Sequence, residues 1–525
     1  MNISLIRFKR FTTNLLIISV IVEVIFFFDL NNIIACGVLL YGWFIIKTFA
    51  LTQANIKNYP VSFLMVFGLA IFHFVLPLPL TLLEFKPVTY NMVVPLLTFL
   101  HHFLFVTVIV ITYNLYIYLS KKKNIFRSIL NKTNFYKTPS DRIIWITAII
   151  GLIASFYIYF IYGQWQKENS ERTVLYYLAT FFVPFVWMPI IIPFKKFRRI
   201  THKKISKVTT IVIYSILVLI IALATNMRTI MFSGVMILIF LIIIGILFGY
   251  YEFKKYLSTK KLIVIIILFF LVSGPLTDFG VAMVIVRHER TQLSAADFLS
   301  KTISVAQDKE TLNKIKSVGI AVDVDQPFLI KGWNEDYLNN FLLNRFCNLK
   351  ISDNCIYHAK NLGYANPAMQ IYLARKILAG MPNILINFFG MNYSEKAELE
   401  SYSITDYLYS LSIDDPSVRG SAIVGSMPGI GMAVFGYWYL IVIIPVFIII
   451  FSMFDSFVKI VNGEIVYSYF YFIMLLMMVN YFNDKHVYSF EFRYILRDYT
   501  ESIVIFLIIM KALRFVESLV YKTKS

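Results

Sequence analysis

Residues 208–250 read VTTIVIYSILVLIIALATNMRTIMFSGVMILIFLIIIGILFGY, two apolar runs (208–225 and 229–250) parted only by Asn226, Met227 and Arg228. Each run supplies the roughly 20 residues that an α-helix needs to cross about 30 Å of hydrocarbon. A bilayer offers no water to unpaired amides, and neither run has the two-residue alternation of a membrane barrel, so both read as helices.

Working outward, similar runs recur near 12–28, 31–51, 60–83, 91–119, 143–162, 174–194, 262–284, 430–453, 466–482 and 502–520. The chain therefore reads as an all-α polytopic membrane protein of about 12 transmembrane helices with one large helical extracytoplasmic loop. Three regions follow: a bundle of about nine helices over 1–286, the loop over 287–429, and about three further helices over 430–525. Composition agrees, since 58% of the 525 residues are hydrophobic and 15% charged, against about half and a quarter in soluble chains. The apolar start at 12–28 follows Arg7, Lys9 and Arg10 without a small-residue cleavage site, so it reads as a retained span rather than a signal peptide.

The net charge of +19 does not imply nucleic acid, because Lys and Arg sit in short clusters between the apolar runs. One set of connections carries Arg7, Lys9 and Arg10; Lys121, Lys122, Lys123 and Arg127; Lys195, Lys196, Arg198 and Arg199; Lys254, Lys255, Lys260 and Lys261; and Lys522 with Lys524. The alternate connections carry only Lys86, then Lys167 and Arg172, then Arg228, before the long segment from Arg287 to Gly429. Cytoplasmic loops retain basic residues, so the first set and both termini are expected inside and the long loop outside.

Within that loop, Phe298, Ile303, Val305 and Leu312, and again Ile371, Leu373, Ile377 and Leu378, recur among charged residues as short amphipathic helices do. Ser352-Asp353-Asn354 reads as a polar turn between them. Cys347 and Cys355, both expected outside, are candidates for a disulfide. Cys36 completes a set of three, too few for a zinc or iron–sulfur site. No sequence repeat and no HExxH, GxSxG, Walker or EF-hand pattern appears in a suitable context.

Chemistry is sought among cations at the outer membrane face. Arg228, in a turn with almost no loop around it, is costly there unless paired or facing water. Its fork of donors suits a phosphorylated lipid headgroup, and the alternative is a guanidinium that snorkels to the interface or pairs with a loop carboxylate. Arg287-His288-Glu289-Arg290 adds two more phosphate forks and a base, or is merely an interfacial charge cluster. Asn344-Arg345-Phe346, His358, Arg375, Lys376, Asp414, Asp415 and Arg419 lie further along. His288, His358 and His486 are the histidines expected outside, where a general base is sought, while His73, His101 and His102 fall in spans and His202 is cytoplasmic. Glu23, alone in the first span, makes a poor ion-coupling network.

The span plan, the late outer loop, the Arg228 turn with its helix Thr229 to Tyr250, Arg287 after the next span and the glycine-bearing stretch Gly425 to Gly436 together resemble the O-antigen polymerase and ligase superfamily. The resemblance covers the whole layout and carries no specific local motif. It implies a glycosyltransferase that polymerises undecaprenyl-pyrophosphate-linked repeat units of O-antigen, capsule or exopolysaccharide, with inversion and without metal or cofactor. It also implies membrane lipid and a chain-length regulator protein as partners, and no nucleic acid. By that resemblance Arg228 and Arg287 bind the leaving pyrophosphate, with Arg290, Arg345 and Arg419 in support. The ligases of that superfamily keep a histidine late in the loop, and residues 359–429 contain none. That favours a polymerase over a ligase and leaves the catalytic base open among His288, His358 and a carboxylate such as Glu289. A lipid-linked oligosaccharide flippase is the alternative from another class.

Overall fold

The computed structural model describes residues 3–121, 124–162, 173–199, 208–224, 228–256, 258, 261, 274–275, 277–283, 285–286, 289, 293–310, 312, 333–335, 337–344, 346–421, 423–482 and 487–522. Among these the chain is all-α apart from one two-stranded hairpin, β1 (Val458–Val461) and β2 (Glu464–Tyr467). Four helical stretches are long and apolar enough to cross a membrane: Leu30–Phe49, Pro60–Leu83, Pro95–Ser120 and Met427–Asp455. Shorter apolar helices occupy Leu175–Ile191, Val208–Ala222 and Ser233–Leu247.

The helices needed below are α1 (Ile3–Phe26), α2 (Leu30–Phe49), α3 (Pro60–Leu69), α4 (Pro95–Ser120), α5 (Asp141–Phe156), α6 (Val208–Ala224) and α7 (Arg228–Leu247). They continue with α8 (Ala295–Gln307), α9 (Leu349–Leu362), α10 (Pro367–Ala379), α11 (Tyr393–Ser401), α12 (Ile404–Ser412) and α13 (Met427–Phe435). The last are α14 (Tyr439–Asp455), α15 (Ser489–Arg493) and α16 (Tyr499–Lys522).

Several apolar runs are broken where the backbone demands it. The run 60–83 leaves α-geometry for a π-turn at Ala70–Val75 just before Pro77, which lacks the N–H that the ladder needs. The run 174–194 shortens into 3₁₀ turns around Pro184 and Pro189. Between α13 and α14, Gly436 takes φ +58, a conformation that glycine adopts without a Cβ penalty. The expected span 466–482 begins inside the hairpin, whose turn Asn462-Gly463 has positive φ at both residues, the geometry matching the twist of the flanking strands.

The polar trio Ser352-Asp353-Asn354 is not a turn: α9 runs straight through it. Asp353 is fully buried there, accepting N–H from Val93 at 2.7 Å and Val94 at 2.9 Å, a hydroxyl from Thr98, and Lys350 Nζ at 3.1 Å. A short polar side chain favours turns only when no tertiary donor claims it. Nor do Cys347 and Cys355 form a disulfide, since both thiols are free and buried. Cys347 precedes α9, whereas the Cys355 side chain is committed to α13, with its Cβ 2.3 Å from where a Cβ at Gly429 would sit. Burial pushes the Cys355 thiol up to about 12 and raises Cys347 as well.

Carboxylates bind backbone amides across the fold. Asp455 accepts N–H from Val61 and Ser62 at 3.0 Å, and hydroxyls from Ser62 and Tyr116. Glu84 accepts from Asn339 and Asn340, Glu23 from Val88, and Asp406 from Ser403 and Ile423. The first two amides of a helix have no partner inside it, and an anion there also meets the positive end of the helix dipole.

The connections meet in two groups. Ser4 and Lys196 bond the carbonyls of Tyr251 and Tyr250, Arg199 pairs with Glu464, Arg127 with the Asp455 carbonyl, and Arg514 with the Lys137 carbonyl. Separately, Asn32 bonds Thr89, Lys86 the Tyr337 carbonyl, and Asp353 the start of α4.

Candidate anion-binding site

The sequence-selected residues fare unequally. Arg287, His288, Arg290, Arg345 and His486 lie outside the described residues. Arg228 begins α7, whose described side chains start further along. Glu289, weighed as a base, is bound by the Lys301 ammonium of α8.

His358 is a packing residue in this structure. Its ring stacks on Trp333 at 5.4 Å and meets Tyr409 edge-on at 4.8 Å. Nδ1 lies 2.7 Å from Ser412 Oγ, whose own proton goes to the Tyr409 carbonyl, so Nδ1 carries the hydrogen. Burial, with the Lys350 charge second, lowers its pKa to about 4. The imidazole is therefore neutral near pH 7, but it is shut in.

Arg419 is placed differently. Its Nε donates to Ser410 Oγ at 3.1 Å, and its guanidinium lies 5.2 Å from the Tyr407 ring and 5.8 Å from Tyr402. These two rings and Tyr372 of α10 form one aromatic stack, with Tyr372 4.0 Å from Tyr407 and 5.5 Å from Tyr402, both at 16°. Lys376, one turn after Tyr372, lies 6.0 Å from the Tyr402 ring and donates to the carbonyls of Leu399 and Tyr402. Two cations thus share the Tyr402 ring, each held by the ring's negative face.

Neither cation has a carboxylate partner among the described residues. Asp406, the acid on α12 nearest the stack, already accepts the Ser403 and Ile423 amides at 2.8 Å. Burial lowers the Lys376 ammonium to about 8, against the opposing pull of Glu400. Burial likewise raises the Tyr372 hydroxyl, with Tyr402 adding to it.

The last helical stretch reaches the same place. Arg497 donates to the Gly380 carbonyl at 2.9 Å, just past α10, while pairing with Glu501. Arg493 pairs with Asp498 and packs its stem on Gly380, where an added Cβ would meet its Cδ at 2.7 Å. A half-buried guanidinium that no carboxylate neutralises among the described residues suits a phosphate or diphosphate, whose oxygens accept in a fork.

Sequence reading singled out Arg419 and noted Lys376. It passed over Tyr372, Tyr402 and Tyr407, although the spacing of Tyr372 and Lys376 by four residues puts them on one helical face. No protein-family model, no curated protein and no solved structure matches this chain.

Proposed function

We propose that the chain is a membrane glycosyltransferase that polymerises polyprenyl-pyrophosphate-linked oligosaccharide units at the outer face of a bacterial cytoplasmic membrane. One observation carries the reading: the Arg419 guanidinium, half-exposed against two tyrosine rings, pairs with no carboxylate among the described residues, and Lys376 approaches the same Tyr402 ring. A diphosphate leaving group gathers charge as the sugar departs, and preorganised cations stabilise that charge most strongly away from bulk water. Arg228, Arg287, Arg290 and Arg345 are assigned to the same leaving group.

The proposed sidedness has support in the two groups of connections, because the group containing Arg127, Lys196, Arg199 and Arg514 is the basic one. Both termini and that group are assigned to the cytoplasm, and residues 287–429 to the opposite face. Some 12 spans remain the reading of the apolar runs.

The test is reconstitution of the full chain with a lipid-linked repeat unit, counting repeats in the product. Polymers from wild type and shorter, more slowly formed products from Arg419→Ala support the reading; unelongated wild-type product defeats it. A lipid-linked oligosaccharide transporter is the second reading, favoured by buried polar side chains inside the bundle, and it predicts transbilayer movement of the unit without elongation.

A further inference from the structure

Polar side chains from both halves of the chain close into a ring within the helical interior. On α4, His101 and His102 are fully buried neighbours. The His102 ring lies 5.5 Å from His73, whose Nε2 is 3.1 Å from the Phe482 carbonyl. Next to Phe482, Tyr481 faces the Glu491 carboxyl.

A second route joins the same ends. His101 Nδ1 lies 3.0 Å from Tyr439 Oη on α14. Tyr439 and Tyr488 converge over Gly431, where an added Cβ would meet Tyr488 Oη at 2.6 Å and Tyr439 Cγ at 2.7 Å. Tyr488 in turn faces Glu491 on α15.

Both Glu491 oxygens, the Tyr488 hydroxyl, His101 Nε2 and both ring nitrogens of His102 are buried without a hydrogen-bond partner among the described residues. The Tyr481 hydroxyl is the side-chain donor turned toward the Glu491 carboxyl, too far or too bent for a close hydrogen bond, and Tyr488 acts on the same group through charge alone. Leaving one such group unsatisfied costs about 1–3 kcal/mol, so six spread along these connected contacts call for small hydrogen-bonding occupants. Internal water, which bonds two to four polar groups at once, has that chemistry.

We propose that this ring is an internal protonation site, in which Glu491 and the α4 histidines exchange a proton with water that enters the bundle. Glu491 lies on the connection between the runs 466–482 and 502–520, and burial pushes its pKa up to about 8. Its titratable neighbours are Tyr481 and Tyr488, and no cation pairs with it among the described residues. Arg493 and Arg497, on the same helical stretch, are engaged by Asp498 and Glu501. The proton balance is simple: a proton arriving from water converts the carboxylate to the acid, and leaves by the same water or through an imidazole. This inference is independent of the glycosyl-transfer reading.

The test is infrared difference spectroscopy of the full chain in lipid nanodiscs on transfer from H2O to D2O. A carboxylic-acid carbonyl band that shifts in D2O while the protein stays folded, and that is lost in Glu491→Gln, is the expected result. Glu491→Asp keeps an acid and moves the band, which preserves the assignment should the glutamine variant not fold. A spectrum identical in the Glu491 variants, or a band that exchanges only on unfolding, overturns the proposal.

Discussion

Asp353 Oδ1 accepts the amide of Val94 at 2.9 Å, so a residue of α9 caps the start of α4 across 259 positions of sequence. The second carboxylate oxygen binds Val93 N–H and Lys350. This carboxylate is consumed by structure and has no lone pair aimed at a substrate.

Removing that acid leaves two amides and a buried ammonium without their anion. Asp353→Ala is expected to destabilise the fold by about 3 kcal/mol or more, because breaking a buried pair strands the other charge. The melting temperature in detergent measures this, and Asp353→Asn, which still accepts hydrogen bonds, is expected to lose less.

Arg419→Ala is expected to lower polymerisation by roughly tenfold or more, about 1.4 kcal/mol in the barrier, with Arg419→Lys in between because a point charge replaces a fork. Glycan ladder length and initial rate are the readouts, and an unchanged melting temperature separates charge loss from misfolding.

His358 gives a stability profile with a definite sign. Its folded pKa of about 4 lies below the ordinary 6.5, so between these values the unfolded chain binds the proton and the folded one does not. Stability is therefore complete above about pH 6.5 and falls as pH drops toward 4, by at most about 3 kcal/mol. Denaturant melts across that window measure the slope, and His358→Gln is expected to flatten it.

The thiols offer a chemical check. Without reductant, all 3 cysteines are expected to react with maleimide after denaturation, while buried Cys36, Cys347 and Cys355 resist it in the folded chain. A pair that stays blocked until reduction would restore the disulfide reading.

Elements set by local composition were legible in the sequence: the apolar runs announce helices because bilayer and backbone leave few options. The amphipathic pattern around Ile371 to Leu378 likewise falls on α10. What escaped depends on distant partners. Asp353 reads as a turn residue until the amides of Val93 and Val94 supply a reason for its burial. The Asn462-Gly463 hairpin carried a local signal, but the apolar residues after it pulled that stretch into a span. At the candidate site, Arg419 was visible as a charge, whereas the tyrosine stack beneath it is assembled from α10 and α12 and has no continuous sequence signature.

The Asp455 carboxylate holds the first amides of α3 from 393 residues away, counted to Ser62. During synthesis, which proceeds from the N-terminus, the early helical hairpins enter the membrane long before that anchor leaves the ribosome. Nascent chains halted short of Asp455 are thus expected to insert yet stay open to proteolysis around Pro60, with closure delayed until that late residue arrives.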